Sequence, residues 1–240
     1  MGMDNEIGVC PQLFKYNKPV TCPECIRCGD FAYMVSHDLK SPLNKIKGYL
    51  MVLREQPAMF DEIHSRIIKQ ADYLLSFIDK LLKLSKAGKI LDEKKDINFE
   101  DLVKKSYLLV KTDEIPIDFK LRTDIPVIVG DPTRLEQVFM NLLQNAITFR
   151  DANKNNLIID VECKKNCSNA IIKVSDNGRG IKKANFDKIF NVHYTEGQHE
   201  GFGFGLTISK KIIEAHGGQI WVENSEENSG STICFTLPLN

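Results

Sequence analysis

Val35-Ser36-His37-Asp38-Leu39-Lys40-Ser41-Pro42-Leu43 decides how the N-terminal third of this sequence folds. Val35, Leu39 and Leu43 recur every four residues, and Phe31, Ile46, Leu50 and Leu53 extend the series in both directions. Such spacing is one apolar stripe of a helix. His37 falls between stripe positions, so its imidazole is turned away from the core into solvent. An exposed neutral imidazole is a nucleophile near neutral pH. Asp38 beside it could hold one ring N–H and leave the other nitrogen free to attack. Pro42 removes one intrahelical hydrogen bond and is expected to kink the helix a turn beyond His37.

A break follows at Gln56-Pro57-Ala58, and a second stripe runs through Ile63, Ile67, Ala71, Leu74, Ile78 and Leu81. Leu75, Phe77, Leu82 and Leu84 widen its apolar face. Two amphipathic helices with a short connection fold as an antiparallel hairpin. A lone hairpin buries too little surface, so the broad face needs a partner. A second copy, giving a four-helix bundle, is favoured over packing against the rest of the same chain.

The whole chain has 240 residues, with 32 Lys+Arg balanced by 32 Asp+Glu. That balance argues against a nucleic-acid coat. Hydrophobic residues make up 42% and charged residues 27%, enough for a true core. No apolar run has the length of a membrane span, and the N-terminus lacks a secretion signal. The expected location is the cytoplasm, as a separate protein or as the cytoplasmic part of a longer one. Three blocks are expected: 1–28, rich in Cys; 29–87, the hairpin; and 92–240, a mixed α/β domain. Lys86-Ala87-Gly88-Lys89 is the junction.

In the third block, 117–121 and 127–129 read as strands. Asp131-Pro132 opens a helix, with Asp as N-cap and Pro in the first turn. Residues 157–163 and 170–174 read as strands, 205–216 as a helix closed by Gly217-Gly218, and 219–222 with 231–237 as a final hairpin. Strands grouped in pairs around helices indicate an α+β fold.

Three further motifs lie here. Asn141 and Asn145 share one helix face, where two amides could meet a cation and phosphate oxygens or simply form a polar edge. Asp176-Asn177-Gly178-Arg179-Gly180 ends a strand on an acceptor-only carboxylate suited to an amino group. Its glycines would let backbone approach a flat base, although a tight Asn-Gly turn reads the same way. Gly201-Phe202-Gly203-Phe204-Gly205-Leu206 leads into a helix whose N-terminus attracts phosphate, and it also reads as a mobile hinge.

Taken in order, these motifs resemble the kinase core of two-component sensor histidine kinases, over about residues 30–240. His37 falls in the H box, Asn141–Asn145 in the N box, Asp176–Gly180 and Gly201–Gly205 in the two glycine boxes, and Phe186–Phe190 in the F box. The resemblance implies a hairpin dimerising into a four-helix bundle, then an α/β sandwich ATP-binding domain of the type shared with gyrase and MutL. It implies His37 as phosphoryl acceptor, Asp38 as its base or orienter, and Ser41 where dephosphorylation of the regulator is supported. It implies ATP, with Asn145 as Mg²⁺ ligand, Asn141 on the phosphate side and Asp176 reading adenine. Gly178, Gly180, Gly201, Gly203 and Gly205 would shape the pocket and a lid over about 191–202, and Phe149, Ile181, Phe190 and Leu206 would complete the nucleotide site. The implied partners are a second copy and the receiver domain of a response regulator; no nucleic acid and no membrane segment in this chain are expected.

Three positions depart from the family's pattern. Thr148 stands where Lys is common, the lid carries no Lys or Arg with Phe202 in place of Thr, and Ser41 replaces the usual Thr or Asn. Loss of the Lys cation could weaken ATP binding or slow transfer, and Arg150 or Arg179 could compensate. Slow autophosphorylation with intact nucleotide binding is expected. Cys22-Pro23-Glu24-Cys25-Ile26-Arg27-Cys28, with Cys10 as a fourth thiol, suits zinc or an iron–sulfur cluster as well as it suits an unliganded tail. Two rival readings therefore stand beside the kinase: a degenerate ATP-binding signalling protein, and a metal or redox sensor that uses the core as transmitter.

Overall fold

The structure is a computed structural model that describes residues 23–87, 94–192 and 203–239. The chain divides into two compact units, with the division after Leu75.

The first unit holds α1 (Pro23–Glu55) and most of α2 (Phe60–Ala87), joined by a 3₁₀ turn at Pro57–Met59. Pro57 ends the first run because its ring clashes with the preceding turn and supplies no N–H. The Met59 N–H then closes the turn on the Gln56 carbonyl at 3.1 Å. The helical hairpin is thus as the stripes predict. Its start differs: α1 begins at Pro23, inside the block read as aperiodic, because Pro is favoured in the first turn of a helix. Helix α1 also runs through Pro42 as one element. Leu43 and Leu50 are about half-exposed in the single chain, as are Ile78 and Leu82 of α2.

The second unit contains the last turns of α2, then β1 (Lys95–Asn98), α3 (Phe99–Val110), β2 (Ile117–Thr123), β3 (Val127–Gly130), α4 (Pro132–Thr148), β4 (Leu157–Asn166), β5 (Asn169–Asp176), α5 (Gly205–Ala215), β6 (Ile220–Glu226) and β7 (Gly230–Pro238). A mixed five-stranded sheet has the order β2-β4-β5-β7-β6, in which only β2 and β4 run parallel. β1 and β3 form a separate antiparallel pair. The two predicted strands around residue 120 therefore belong to different sheets.

Alternation along β4 and β5 buries Leu157, Ile159, Val161, Ile172 and Val174 on one face. α4 buries Leu135, Val138, Phe139, Leu142, Leu143 and Ala146 in return. Phe139 meets Phe99 and Phe235 edge-on, with ring centroids 5.8 and 5.7 Å apart. Each such side chain contributes roughly 2–3 kcal/mol by burial. The other sheet face carries charge pairs such as Lys173–Glu223 at 2.6 Å and Arg122–Asp160 at 2.5 Å. The result is a two-layer sandwich, helices on one side and solvent on the other.

Asp131 caps α4, its carboxylate accepting from the Arg134 N–H at 3.1 Å. Cys163 and Cys234 are buried strand residues whose thiols are pushed up to about 11 and about 12 by burial, which makes them inert. Cys167 lies in the β4–β5 turn at φ 52°. His216 is buried as the C-cap of α5.

Candidate functional site

In the first unit, helical spacing delivers the exposed imidazole. The His37 side chain is 72% exposed, and its Nδ1 lies 3.1 Å from Asp38 Oδ1. That contact fixes the N–H on Nδ1 and leaves Nε2 with its lone pair toward solvent. Ser41 stands one turn on, also exposed. Pro42 is buried, and it lacks the N–H that would have bonded to the Asp38 carbonyl. Tyr73 of α2 belongs to the same surroundings: its phenol is pushed up by burial and then by the Asp38 charge.

In the second unit, α4, α5, the end of β5, the start of β7 and the last turns of α2 enclose a cavity of about 680 Å³. That is ample for a nucleotide-sized ligand. Asn141, Asn145, Phe149, Asp176, Gly180, Ile181, Gly203, Gly205 and Leu206 all line it, so the structure brings most of the predicted binding residues together. Phe190 is buried behind, and its neighbour Ile189 takes the lining position. Gly178 is buried against the Phe149 backbone and is not among the lining residues. Gly201 and most of the predicted lid, 193–202, lie outside the described residues.

Asp176 ends β5 with its carboxylate pinned at both oxygens. Oδ1 accepts the Gly178 N–H at 2.7 Å, and Oδ2 accepts the Ser231 hydroxyl at 2.6 Å. Burial pushes the carboxyl above the usual range, against these two hydrogen bonds, which pull it down. Ser231 escaped the sequence reading. Its only signal is register: it faces Asp176 across the β5–β7 ladder.

Two of the glycines also pack tightly against the protein's own backbone. A Cβ at Gly178 would stand 2.6 Å from the Phe149 carbonyl oxygen, and one at Gly180 would stand 2.0 Å from that of Glu226. Both sites bring the loop against the protein's own backbone, and Gly180 also needs φ +75°. Asn141 is likewise committed within the protein: its amide donates to the Gly205 carbonyl at 3.1 Å and to Ser209 Oγ at 3.2 Å. It thereby fixes the start of α5 beside the cavity. Asn145, one turn on, presents its amide to the same cavity.

Thr148 also lines the cavity, within 3.4 Å of the Gln144 amide. Neither Arg150 nor Arg179 is among the cavity's lining residues. Arg150 leans on the Ile147 carbonyl, and Arg179 donates to the Arg150 carbonyl at 3.1 Å. Among the described residues, no group of three or more His, Cys, Asp or Glu side chains could hold a metal ion. Cys25 and Cys28 are three apart on α1, and Cys10 and Cys22 lie outside the described residues. No described helix is long and apolar enough to cross a membrane.

Comparison with known proteins matches this geometry. Residues 29–89 match the His Kinase A (phospho-acceptor) domain, and residues 130–240 match the histidine kinase-, DNA gyrase B- and HSP90-like ATPase domain. The chain is 34% identical over 222 residues to the sensor histidine kinase ZraS of Escherichia coli K12, covering 90% of this chain and 46% of that protein. It thus spans less than half the length of that relative. A solved catalytic domain of histidine kinase ThkA is 34% identical, covering 61% of this chain and 96% of that one, with a TM-score of 0.53. ThkA solved in complex with the response regulator protein TrrA is 28% identical, covering 88% of this chain and 62% of that one, with a TM-score of 0.68. A helical hairpin with an exposed, carboxylate-paired histidine, followed by this ATPase sandwich, places the chain in the sensor histidine kinase family.

Proposed function

We propose that this chain is a kinase core that autophosphorylates on His37 from ATP and passes the phosphoryl group to an aspartate of a response-regulator receiver domain. The exposed His37 imidazole, oriented by Asp38 at 3.1 Å, carries this reading. His37 Nε2 attacks the γ-phosphorus of ATP. An N–P bond forms, the bond to the β,γ-bridging oxygen breaks, and ADP leaves with that electron pair. Asp38 stabilises the imidazolium through Nδ1–H and accepts its proton. Attack by the regulator's carboxylate then breaks the N–P bond and restores His37.

In the cavity, Asp176 accepts the adenine amino group and the half-exposed apolar wall of Phe149, Ile181 and Leu206 receives the base. Asn145 offers an amide oxygen of the kind Mg²⁺ accepts, and bound Mg²⁺ would neutralise phosphate charge. The apolar half-exposed faces of α1 and α2 support a homodimeric bundle. The ThkA–TrrA complex supports a receiver domain as partner.

Incubation with γ-labelled ATP and Mg²⁺ tests this. Acid-labile, base-stable label is expected on the wild type and not on His37→Ala. Label on His37→Ala, or ATP binding with none on the wild type after hours, overturns the kinase in favour of a binding protein. Thr148 and the basic-free lid favour slow labelling. For the cysteine cluster, zinc, iron and sulfide analysis of anaerobically purified protein decides between a bound metal and free thiols.

A further inference from the structure

The peptide group between Asn177 and Gly178 is held from both ends. Its N–H, that of Gly178, donates to Asp176 Oδ1 at 2.7 Å, and its carbonyl, that of Asn177, accepts from the Lys154 ammonium at 2.6 Å. The same ammonium donates to the Asn228 carbonyl at 2.7 Å. Lys154 lies in the loop between α4 and β4, and Asn228 in the turn between β6 and β7. One side chain thus ties together three segments that are distant in sequence, at the end of β5. The Asp151 carboxylate stands 4.0 Å from the ammonium, so the two carbonyls are its closer partners.

A peptide is planar, so its two ends cannot turn independently. Rotation of this one away from Asp176 would break the Lys154 bond as well, and would swing a carbonyl oxygen toward the carboxylate. Hydrogen bonds in a chain also polarise one another: an ammonium on the carbonyl oxygen makes the N–H at the other end a better donor. The Asn177 side chain is anchored separately, accepting from the Ile158 N–H at 2.9 Å and donating to the Asn156 carbonyl at 3.2 Å. Those bonds fix the residue against the start of β4, and Lys154 holds the peptide beyond it. Electrostatics act in the same direction. Burial raises the Asp176 carboxyl, while hydrogen bonds from Ser231 and Gly178, and last the Lys154 charge, lower it.

We infer that Lys154 is a positioning residue for adenine recognition: through the Asn177–Gly178 peptide it holds the Asp176 carboxylate in place as acceptor for the amino group of the base. This rests on the reading of Asp176 as the adenine acceptor of the nucleotide site. Lys154 itself does not line the cavity, so it acts on the base only through that peptide and that carboxylate.

Titration calorimetry on the full chain tests it, with adenosine and with purine riboside, which lacks the amino group, as separate probes. Lys154→Met keeps the apolar stem and removes the ammonium, and should weaken adenosine about tenfold, as loss of a charge-assisted contact does. Purine riboside affinity should stay within about twofold, because that base offers Asp176 no amino hydrogen. Lys154→Arg, which keeps the charge and the donors, should retain adenosine affinity within about threefold. In an Asp176→Asn background, Lys154→Met should weaken adenosine by less than about twofold more, since the two residues act as one. Lys154→Gln, a neutral donor, replaces Lys154→Met in every arm if the latter does not fold. Adenosine affinity unchanged by loss of the ammonium overturns the proposal. Equal weakening of the two nucleosides, or an undiminished loss in the Asp176→Asn background, also overturns it, since either would mean lost packing alone. If the wild type binds neither nucleoside, or Asp176→Asn binds adenosine as the wild type does, the adenine reading itself fails and the proposal with it, which these arms distinguish from a failure of the Lys154 assignment.

Discussion

His216 and Asp131, 85 residues apart, are joined by a buried hydrogen bond in which the Asp131 backbone N–H donates to His216 Nε2 at 3.0 Å. The other ring nitrogen donates to the Ile212 carbonyl at 2.8 Å. The ring is thus held neutral, acceptor on one side and donor on the other. Burial lowers its affinity for a proton, the hydrogen bond to the Ile212 carbonyl opposes this, Lys94 and Arg134 lower it further, and Asp131 also opposes. A base with a depressed folded value contributes stability above its ordinary value, about 6.5, and loses it as pH falls through that window. His216→Ala should cost about 2 kcal/mol at pH 7 by orphaning the Asp131 N–H. The gap to wild type should narrow by pH 5 in urea unfolding. A constant gap would sink this account.

Asp176 titrates in the opposite sense. Its folded value is raised, chiefly by burial, so the fold favours its protonated form. The stability it contributes is greatest below the ordinary carboxylate range and declines as pH rises through the raised value. Adenine binding needs the ionised acceptor. Adenosine affinity should therefore start to fall, on acidification, above the usual aspartate range. Ser231→Ala removes one pinning hydrogen bond and should weaken adenosine several-fold, about 1 kcal/mol. An unchanged adenosine affinity in Ser231→Ala would remove the serine from the site.

Two glycines should respond with opposite signs. Gly180→Ala forces a side chain into φ +75° and against the Glu226 carbonyl, and should cost about 2–4 kcal/mol. Gly48 lies in α1 with nothing within 4 Å of an added Cβ. Gly48→Ala should stabilise by about 0.5–1 kcal/mol. Thermal unfolding of both variants checks the pair.

Asp38→Asn keeps the shape beside His37 and removes the proton acceptor. Labelling of His37 should slow by about 10²-fold or more while ATP affinity is unchanged. A rate within threefold of wild type would leave Asp38 without its assigned role.

Much of this was legible in the sequence because the signals were local. Asp131-Pro132 names its own helix start, and His37 betrays its exposure by falling between Val35 and Leu39. The α2 stripe shows Phe77 and Leu84 as apolar, but no local pattern shows that Lys80 between them lines the cavity. β1 and α3 were not readable as elements: β1 has one buried residue, Ile97, in four. The Asn98 cap accepting from Asp101 N–H is a signal that could have revealed α3. Ser231 depends on strand register across 55 residues, which no local pattern encodes.

The Ser231 hydroxyl has one proton, and Asp176 Oδ2 already holds it. The serine therefore has no hydrogen to offer the carbonyl oxygen that guanine carries where adenine has an amino group. Facing that oxygen, the Asp176 carboxylate would set acceptor against acceptor. If adenine binds Asp176 as proposed, the same short contact that steadies the carboxylate would turn the ionised site against GTP by repulsion, so selectivity for ATP would not require a tighter fit around the base.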